Sequence, residues 1–112
     1  LQHLSALVKS SADAIIGKDL EGRIVSWNRG AEELFGYAEQ EALGRSADFL
    51  YPAGSTENFR DIIDAVRDGE SISMERRRIR RDGTVIDILH TVSPIFDPHQ
   101  RVIGLSTISR DI

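Results

Sequence analysis

At 112 residues, with a formal net charge of −4, 40% hydrophobic and 29% charged residues, the chain has the make-up of one globular domain with a modest core. The acidic balance opposes a dedicated nucleic-acid surface, and no apolar run approaches the roughly 20 residues that cross a membrane, so no membrane contact is expected. The absence of cysteine removes disulfides, thiolate catalysis, zinc–thiolate sites and thiol-linked chromophores together, and fits a reducing, cytoplasmic setting.

Leu1, Leu4, Leu7 and Val8 recur at helical spacing, so residues 1–10 are predicted to form an amphipathic helix flanking a domain of residues 11–112. The chain opens at Leu1 with no methionine or signal peptide, as an excerpt of a longer protein would. Residues 14–19 and 24–27 read as strands around Gly22, whose freedom at positive φ suits a hairpin turn. Asn28 is placed to cap a short helix with Ala31, Leu34 and Phe35 on its buried face and Gly36 at its C′ position. A further helical turn or two covers residues 38–43; Ala38 is a poor cap, so this start is expected to fray. Over residues 55–67, Phe59, Ile62, Ile63 and Val66 follow the i, i+3, i+4, i+7 spacing of the longest amphipathic helix. Strands are predicted at 71–80, 84–93 and 102–109, joined by Arg81-Asp82-Gly83 and by the turn 97–100. Five antiparallel strands with helices grouped in the middle make an α+β fold with helices on one sheet face. The other face is expected to be covered by the N-terminal helix or by another chain.

These motifs in this order resemble a PAS domain over nearly the whole chain. "SSADAIIGKDLEGRIVSWNRGAEELFGY" resembles the family's opening hairpin and first helix, and "EALGR" its next turn. "RRRIRRDGTVIDILHTVSPIFD" resembles its later hairpin, "VIGLSTISRDI" its last strand, and Asp111-Ile112 its closing Asp-Ile-Thr. The resemblance implies the PAS fold and a non-catalytic regulatory module of bacterial signal-transduction proteins. It also implies that Trp27-Asn28 ends the second strand and caps the first helix, and that Glu75 pairs with Lys18 across the sheet. Two positions depart from the pattern: Arg29 stands where proline is frequent, and Gln100 stands where glycine is frequent, in a turn that needs positive φ.

Catalysis finds little support in the residues themselves. Glu32 and Glu33 point apart on a helix, and Asp61 and Asp64 lie opposite the apolar stripe, which reads as a solvated face. No phosphate-cradling loop, nucleophile elbow or metal-ligand cluster is visible. The run Arg76-Arg77-Arg78 divides between the two faces of a strand and suits local ion pairing better than nucleic acid.

PAS domains commonly enclose haem, flavin, a small acid or another metabolite between sheet and helices, and some enclose nothing. The cysteine needed for a flavin photoadduct is absent, and residues 55–67 lack the histidine that holds haem in the oxygen-sensing class. Non-covalent flavin stays open, with Trp27, Phe35, Tyr37, Phe49 and Phe59 as a stacking wall; so does a small metabolite. His90 shares a strand face with Ile86, Ile88 and Val92, and an unpaired buried polar group costs about 1–3 kcal/mol. It reads as a structural histidine, a ligand contact or an axial metal ligand.

Two functions follow. As a sensory module the chain would hold a ligand among Trp27, Phe35, Phe59, Ile63, Ile88 and His90, and signal to an effector domain through the last strand. That effector would be a histidine kinase, a cyclic-dinucleotide enzyme or another PAS domain, in the same chain. As an interaction module it would instead form a homodimer through Leu1, Leu4, Leu7, Val8 and the outward sheet face. In both, Asp111 marks the exit, anchored by Arg23 or Arg101.

Overall fold

The computed structural model describes residues 13–112. The predicted helix at 1–10, with Leu1, Leu4, Leu7 and Val8, lies outside the described residues. Alternating apolar residues and three tight turns give one antiparallel sheet of β1 (Ala14–Asp19), β2 (Ile24–Trp27), β3 (Ile72–Ile79), β4 (Val85–Phe96) and β5 (Val102–Asp111). Their spatial order is β2-β1-β5-β4-β3, which puts the last strand at the centre. The helices α1 (Arg29–Phe35), α2 (Glu39–Ala42) and α3 (Phe59–Val66), with a 3-10 turn at Ala47–Leu50, all fall between β2 and β3 in the chain.

Two apolar clusters join these helices to one face of the sheet. Ala14, Ile16, Ile24 and Trp27 pack with Ala31, Phe35 and Leu50 at one end. Val92 and Leu105 pack with Ile62 and Val66 of α3 at the other.

Asn28 links the opening hairpin to the helices. Its Oδ1 accepts the N–H groups of Ala31 at 2.9 Å and Ile15 at 2.8 Å, and its Nδ2 donates to the Asp13 carbonyl at 3.1 Å. One side chain thus caps α1 and ties it to β1. The adjoining Trp27 is buried, and its indole N–H donates to the Tyr37 carbonyl at 2.9 Å. Gly36 closes α1 in the left-handed region at φ 86°.

Three boundaries differ from expectation. The start of α2 is held by carboxylates: Glu41 accepts the Ala38 N–H and Glu32 accepts the Glu39 N–H, so two orphan donors are satisfied without a capping side chain at Ala38. The strand predicted to end at Ser93 continues through Pro94 to Phe96; β3 has already ended opposite Val92, so Pro94 lies where β4 has β5 as its one paired neighbour. The long helix begins at Phe59 because the Asn58 side chain accepts the Arg60 N–H and stops the helix there. Residues 55–58 are therefore a covering segment outside the helix, with the Ser55 Oγ accepting the Glu57 N–H.

The three hairpin turns share one geometry. In each, the residue before the loop and the residue after it exchange a backbone bond: Asp19 N–H to Arg23 at 3.0 Å, Arg80 N–H to Thr84 at 2.8 Å, and Asp97 N–H to Arg101 at 2.9 Å. The left-handed position is filled by Gly22 (φ 82°), Gly83 (φ 90°) and Gln100 (φ 66°). An L side chain there costs about 1–2 kcal/mol, so Gln100→Gly is expected to stabilise the protein by about 1 kcal/mol after the entropy of the added glycine is offset. A raised urea midpoint with an unchanged m-value is the expected reading; an unchanged midpoint would show that the Gln100 conformation is unstrained.

Candidate functional site

The inner face of the sheet carries charged side chains beside its apolar clusters, on β1 and on the edge strand β3. Strand alternation places Lys18 of β1 on the same face as Ala14 and Ile16, and the helices then cover it. Gly104 of β5 allows this: a Cβ there would stand 2.5 Å from the Lys18 carbonyl oxygen. On β3 the same alternation turns Arg76 and Arg78 inward and Arg77 outward, where Arg77 pairs with Asp87 at 3.3 Å. On β4 it turns His90 inward between Ile88 and Val92. Lys18 is 5% exposed, and Arg78 and His90 are each 3% exposed.

One carboxylate answers these cations. Glu57, on the covering segment, receives Arg78 in a two-pronged contact, Nη1 to Oε2 at 2.6 Å and Nη2 to Oε1 at 3.0 Å. The Nε of Arg76 lies 3.4 Å from Glu57 Oε1, an ion pair without hydrogen-bond alignment. The Arg78 guanidinium also stands 4.8 Å from the Tyr51 ring centroid, where burial raises the phenol's pKa. Lys18 has no carboxylate at salt-bridge distance among the described residues; its ammonium lies 5.9 Å from the Phe59 ring centroid. Burial and then the charge of Arg78 lower the Lys18 pKa to about 8, against the opposing pull of Glu57.

His90 is half satisfied. Its Nδ1 is 3.1 Å from the Ser109 Oγ on β5, and its buried Nε2 has no hydrogen-bond partner among the described residues. Burial foremost, then the charges of Lys18, Arg78 and Arg76, push its pKa down to about 3, so the ring is neutral at pH 7. The buried Thr107, opposite Val92, needs nothing further, since its hydroxyl donates to the Ile16 carbonyl at 3.2 Å.

Two open clefts flank residues 55–58. One, of about 450 Å³, reaches from the β1–β2 turn past Tyr51 and Glu57 to Phe59. The other, of about 380 Å³, runs along Glu57, Asp61, Ile62 and Arg76.

The six residues anticipated as a ligand wall divide between the two cores. Trp27 and Phe35 meet in one cluster with ring centroids 5.9 Å apart and planes tilted by 43°, while Phe59 and Ile63 pack in the other. Ile88 and His90 lie on β4, both buried. The expected Glu75–Lys18 pair does not form. Glu75 is on the outer face of the edge strand β3, opposite Leu89, with β4 and β5 between it and β1; the carboxylate whose field reaches Lys18 is Glu57. Nor does Arg23 or Arg101 anchor Asp111: Arg23 contacts Glu21, Arg101 pairs with Asp97, and the ion pair at the C-terminal strand is Arg110 with Asp13 at 3.1 Å. Lys18, Glu57, Arg76 and Arg78 escaped the sequence-based site, although the period of two in β1 and β3 places three of them inward.

A five-stranded antiparallel sheet with helices over one face defines an α+β module of a single sheet and a single helical layer. A family model described as the PAS fold matches residues 2–112, and the chain belongs to that family, whose members include domains of signal-transduction proteins. It is 28% identical over 107 residues to the signal transduction histidine-protein kinase AtoS of Escherichia coli, covering 95% of this chain and 17% of the kinase. It is 31% identical over 102 residues to a blue-light photoreceptor of Listeria monocytogenes, covering 88% of this chain and 40% of the photoreceptor. The crystal structure of a PAS domain from Colwellia psychrerythraea superposes with a TM-score of 0.91 at 31% identity, covering 99% of this chain and 95% of that one. The chain thus spans less than half the length of these curated relatives. No helix among the described residues is long and apolar enough to cross a membrane.

His90 gives the fold a specific acid response. Its pKa is about 3 when folded, against an ordinary 6.5, so below pH 6.5 the unfolded chain binds a proton that the folded one refuses. The associated stability is complete above 6.5 and is lost as pH falls toward 3. Between pH 7 and 5 the wild type is expected to lose about 2 kcal/mol more than His90→Leu, at about 1.4 kcal/mol per pH unit below 6.5. Urea denaturation of both proteins at the two pH values measures this. Equal losses would mean that the folded ring takes up the proton.

Proposed function

We propose that this chain is the sensory PAS module of a longer signalling protein, holding a small ligand beneath its helices and relaying occupancy to an effector domain. The observation that carries this reading is the buried Nε2 of His90, which has no hydrogen-bond partner among the described residues, on a face that also buries Lys18 and Arg78. A purely structural core has no use for such a combination, since each unmet polar group costs about 1–3 kcal/mol. The similarity to a histidine kinase and to a photoreceptor supports the relay, as does the route out: Ser109, the partner of His90, is two residues from Asp111 near the end of β5.

A small metabolite fits better than a non-covalent flavin. The rings that would stack on an isoalloxazine already contact one another, with Trp27–Phe35 at 5.9 Å, Trp27–Phe49 at 6.3 Å and Tyr37–Phe49 at 4.9 Å. Haem lacks its histidine on α3, and a flavin photoadduct lacks its thiol. The test is native mass spectrometry with an absorption spectrum of the freshly purified chain. A small added mass on the wild type and its loss in His90→Leu are expected. A bare chain mass and no visible absorption would transfer the function to relay by dimerisation.

The outer sheet face favours that second reading, because Val25, Leu89 and Ile108 are exposed there. Together with Leu1, Leu4, Leu7 and Val8 it would form a homodimer surface continuous with the exit at Asp111. Leu4→Glu is then expected to give a folded monomer by light scattering. A dimer persisting at the same concentration would remove the N-terminal segment from the interface.

A further inference from the structure

The two edges of the sheet are finished differently. Along β2 the Ile24 N–H donates to the Arg45 carbonyl at 2.9 Å and the Gly44 N–H to the Ile24 carbonyl at 2.8 Å, so residues 44–46 shield that edge. β3, at the other edge, pairs with β4 alone. The Arg80 N–H donates to the Thr84 carbonyl at 2.8 Å, which makes these two a hydrogen-bonded pair and fixes the alternation along the ladder. Residues 72, 74, 76 and 78 therefore bond to β4, while Ser73, Glu75 and Arg77 turn their N–H and C=O groups to the open edge. Two contacts agree: Arg76 Nη1 donates to the Glu75 carbonyl at 2.9 Å, and Arg78 Nη1 to the Arg77 carbonyl at 2.7 Å. Each occupies one lone pair and leaves the second, with the edge N–H groups, open to a further strand. β3 is also long for an edge, at eight residues, and has neither a proline nor a break in its register with β4.

We infer that the free edge of β3 is a strand-pairing surface for a second copy of this chain. The two strands run antiparallel about a two-fold axis at Arg76, with Glu75 of each copy opposite Arg77 of the other. Charge selects that register. An axis at Glu75 or at Arg77 would set like charges against each other, whereas an axis at Arg76 forms two opposite-charge pairs on the outer face. Both side chains are exposed there; Glu75 has no ion-pair partner among the described residues, and Arg77 has only the exposed Asp87. On the inner face the two Arg76 side chains meet at the axis. Each lies 3.4 Å from Glu57 of its own copy, which offsets part of their repulsion and leaves the pairing weak. The cleft along Glu57, Asp61, Ile62 and Arg76 keeps the helical layer clear of this edge. The surface is distinct from the outer sheet face and needs nothing from Leu1, Leu4, Leu7 or Val8.

Sedimentation equilibrium of the Leu4→Glu chain tests this with the N-terminal segment removed as an alternative interface. Dimers are expected only above the concentrations at which that chain scatters light as a monomer. Adding Arg76→Leu, which removes the like charges at the axis, is expected to lower the Kd about tenfold. Further addition of Glu75→Pro takes away an edge N–H that β4 does not use, so the fold is kept and the dimer is expected to be lost. In the same Arg76→Leu chain, Glu75→Arg and Arg77→Glu singly are each expected to raise the Kd about tenfold, and together to restore it. Cooperative urea unfolding confirms that each variant is folded. A monomer at every concentration both with and without Arg76→Leu overturns the proposal. So does a dimer indifferent to Glu75→Pro, or one that the combined charge exchange fails to restore.

Discussion

A sheet can hide a charged arginine under its helices only where an anion meets it, and here a single carboxylate, Glu57, carries that burden for Arg78. Desolvation of an ion costs several kcal/mol even after the protein relaxes, and breaking a buried pair by removing one partner costs about 3–5 kcal/mol. The Glu57–Arg78 contact belongs to that class, with Arg78 almost wholly buried. The surface pairs Arg29–Glu33 and Arg67–Asp64 do not: both partners are well exposed, and such pairs contribute about 0–1 kcal/mol. Of the ion pairs in this domain, the one made from the covering segment is the one on which the helical layer's seating depends.

Much else follows from where that segment can stand. Because Asn58 stops α3 from beginning earlier, residues 55–58 are released from helical geometry, and Glu57 is turned toward β3. Gly104 lets β5 lie close against β1 here, since a Cβ at that position would stand 2.5 Å from the Lys18 carbonyl oxygen. The lowered Lys18 pKa of about 8 sets a basic limb for stability: between pH 8 and 10.5 the unfolded chain holds more protons than the folded one, so stability rises across that interval. His90 acts in the opposite quarter, its contribution fading below pH 6.5. Both shifts come first from burial and then from the neighbouring positive charges.

The frame of this fold was legible in the sequence because it is written in local chemistry. Gly22 and Gly83 mark two turns, Asn28 and Gly36 bracket α1, and the period-two alternation of β1, β3 and β4 is plain. The site was less legible, for a physical reason. Charged residues at inward positions look like solvated ones until the layer above them is known, so Arg76 and Arg78 read as surface ion pairing and Lys18 as half of an exposed pair. The carboxylate was misplaced because the family resemblance put Glu75 opposite Lys18, whereas the carboxylate that answers the inner cations, Glu57, reaches Arg78 only through the fold, 21 residues away. Its segment also carried a helical expectation, since the apolar stripe starting at Phe59 was extended back past a residue that caps.

For such a site to signal, its ligand must bind two arrangements of the domain unequally, and only the unequal part moves the population. The sheet order then gives the signal a path, because β5 lies between β1, which carries Lys18, and β4, which carries His90, and ends at Asp111. A change in how those two strands are loaded bears on β5 from both sides, and the chain leaves the domain from that strand.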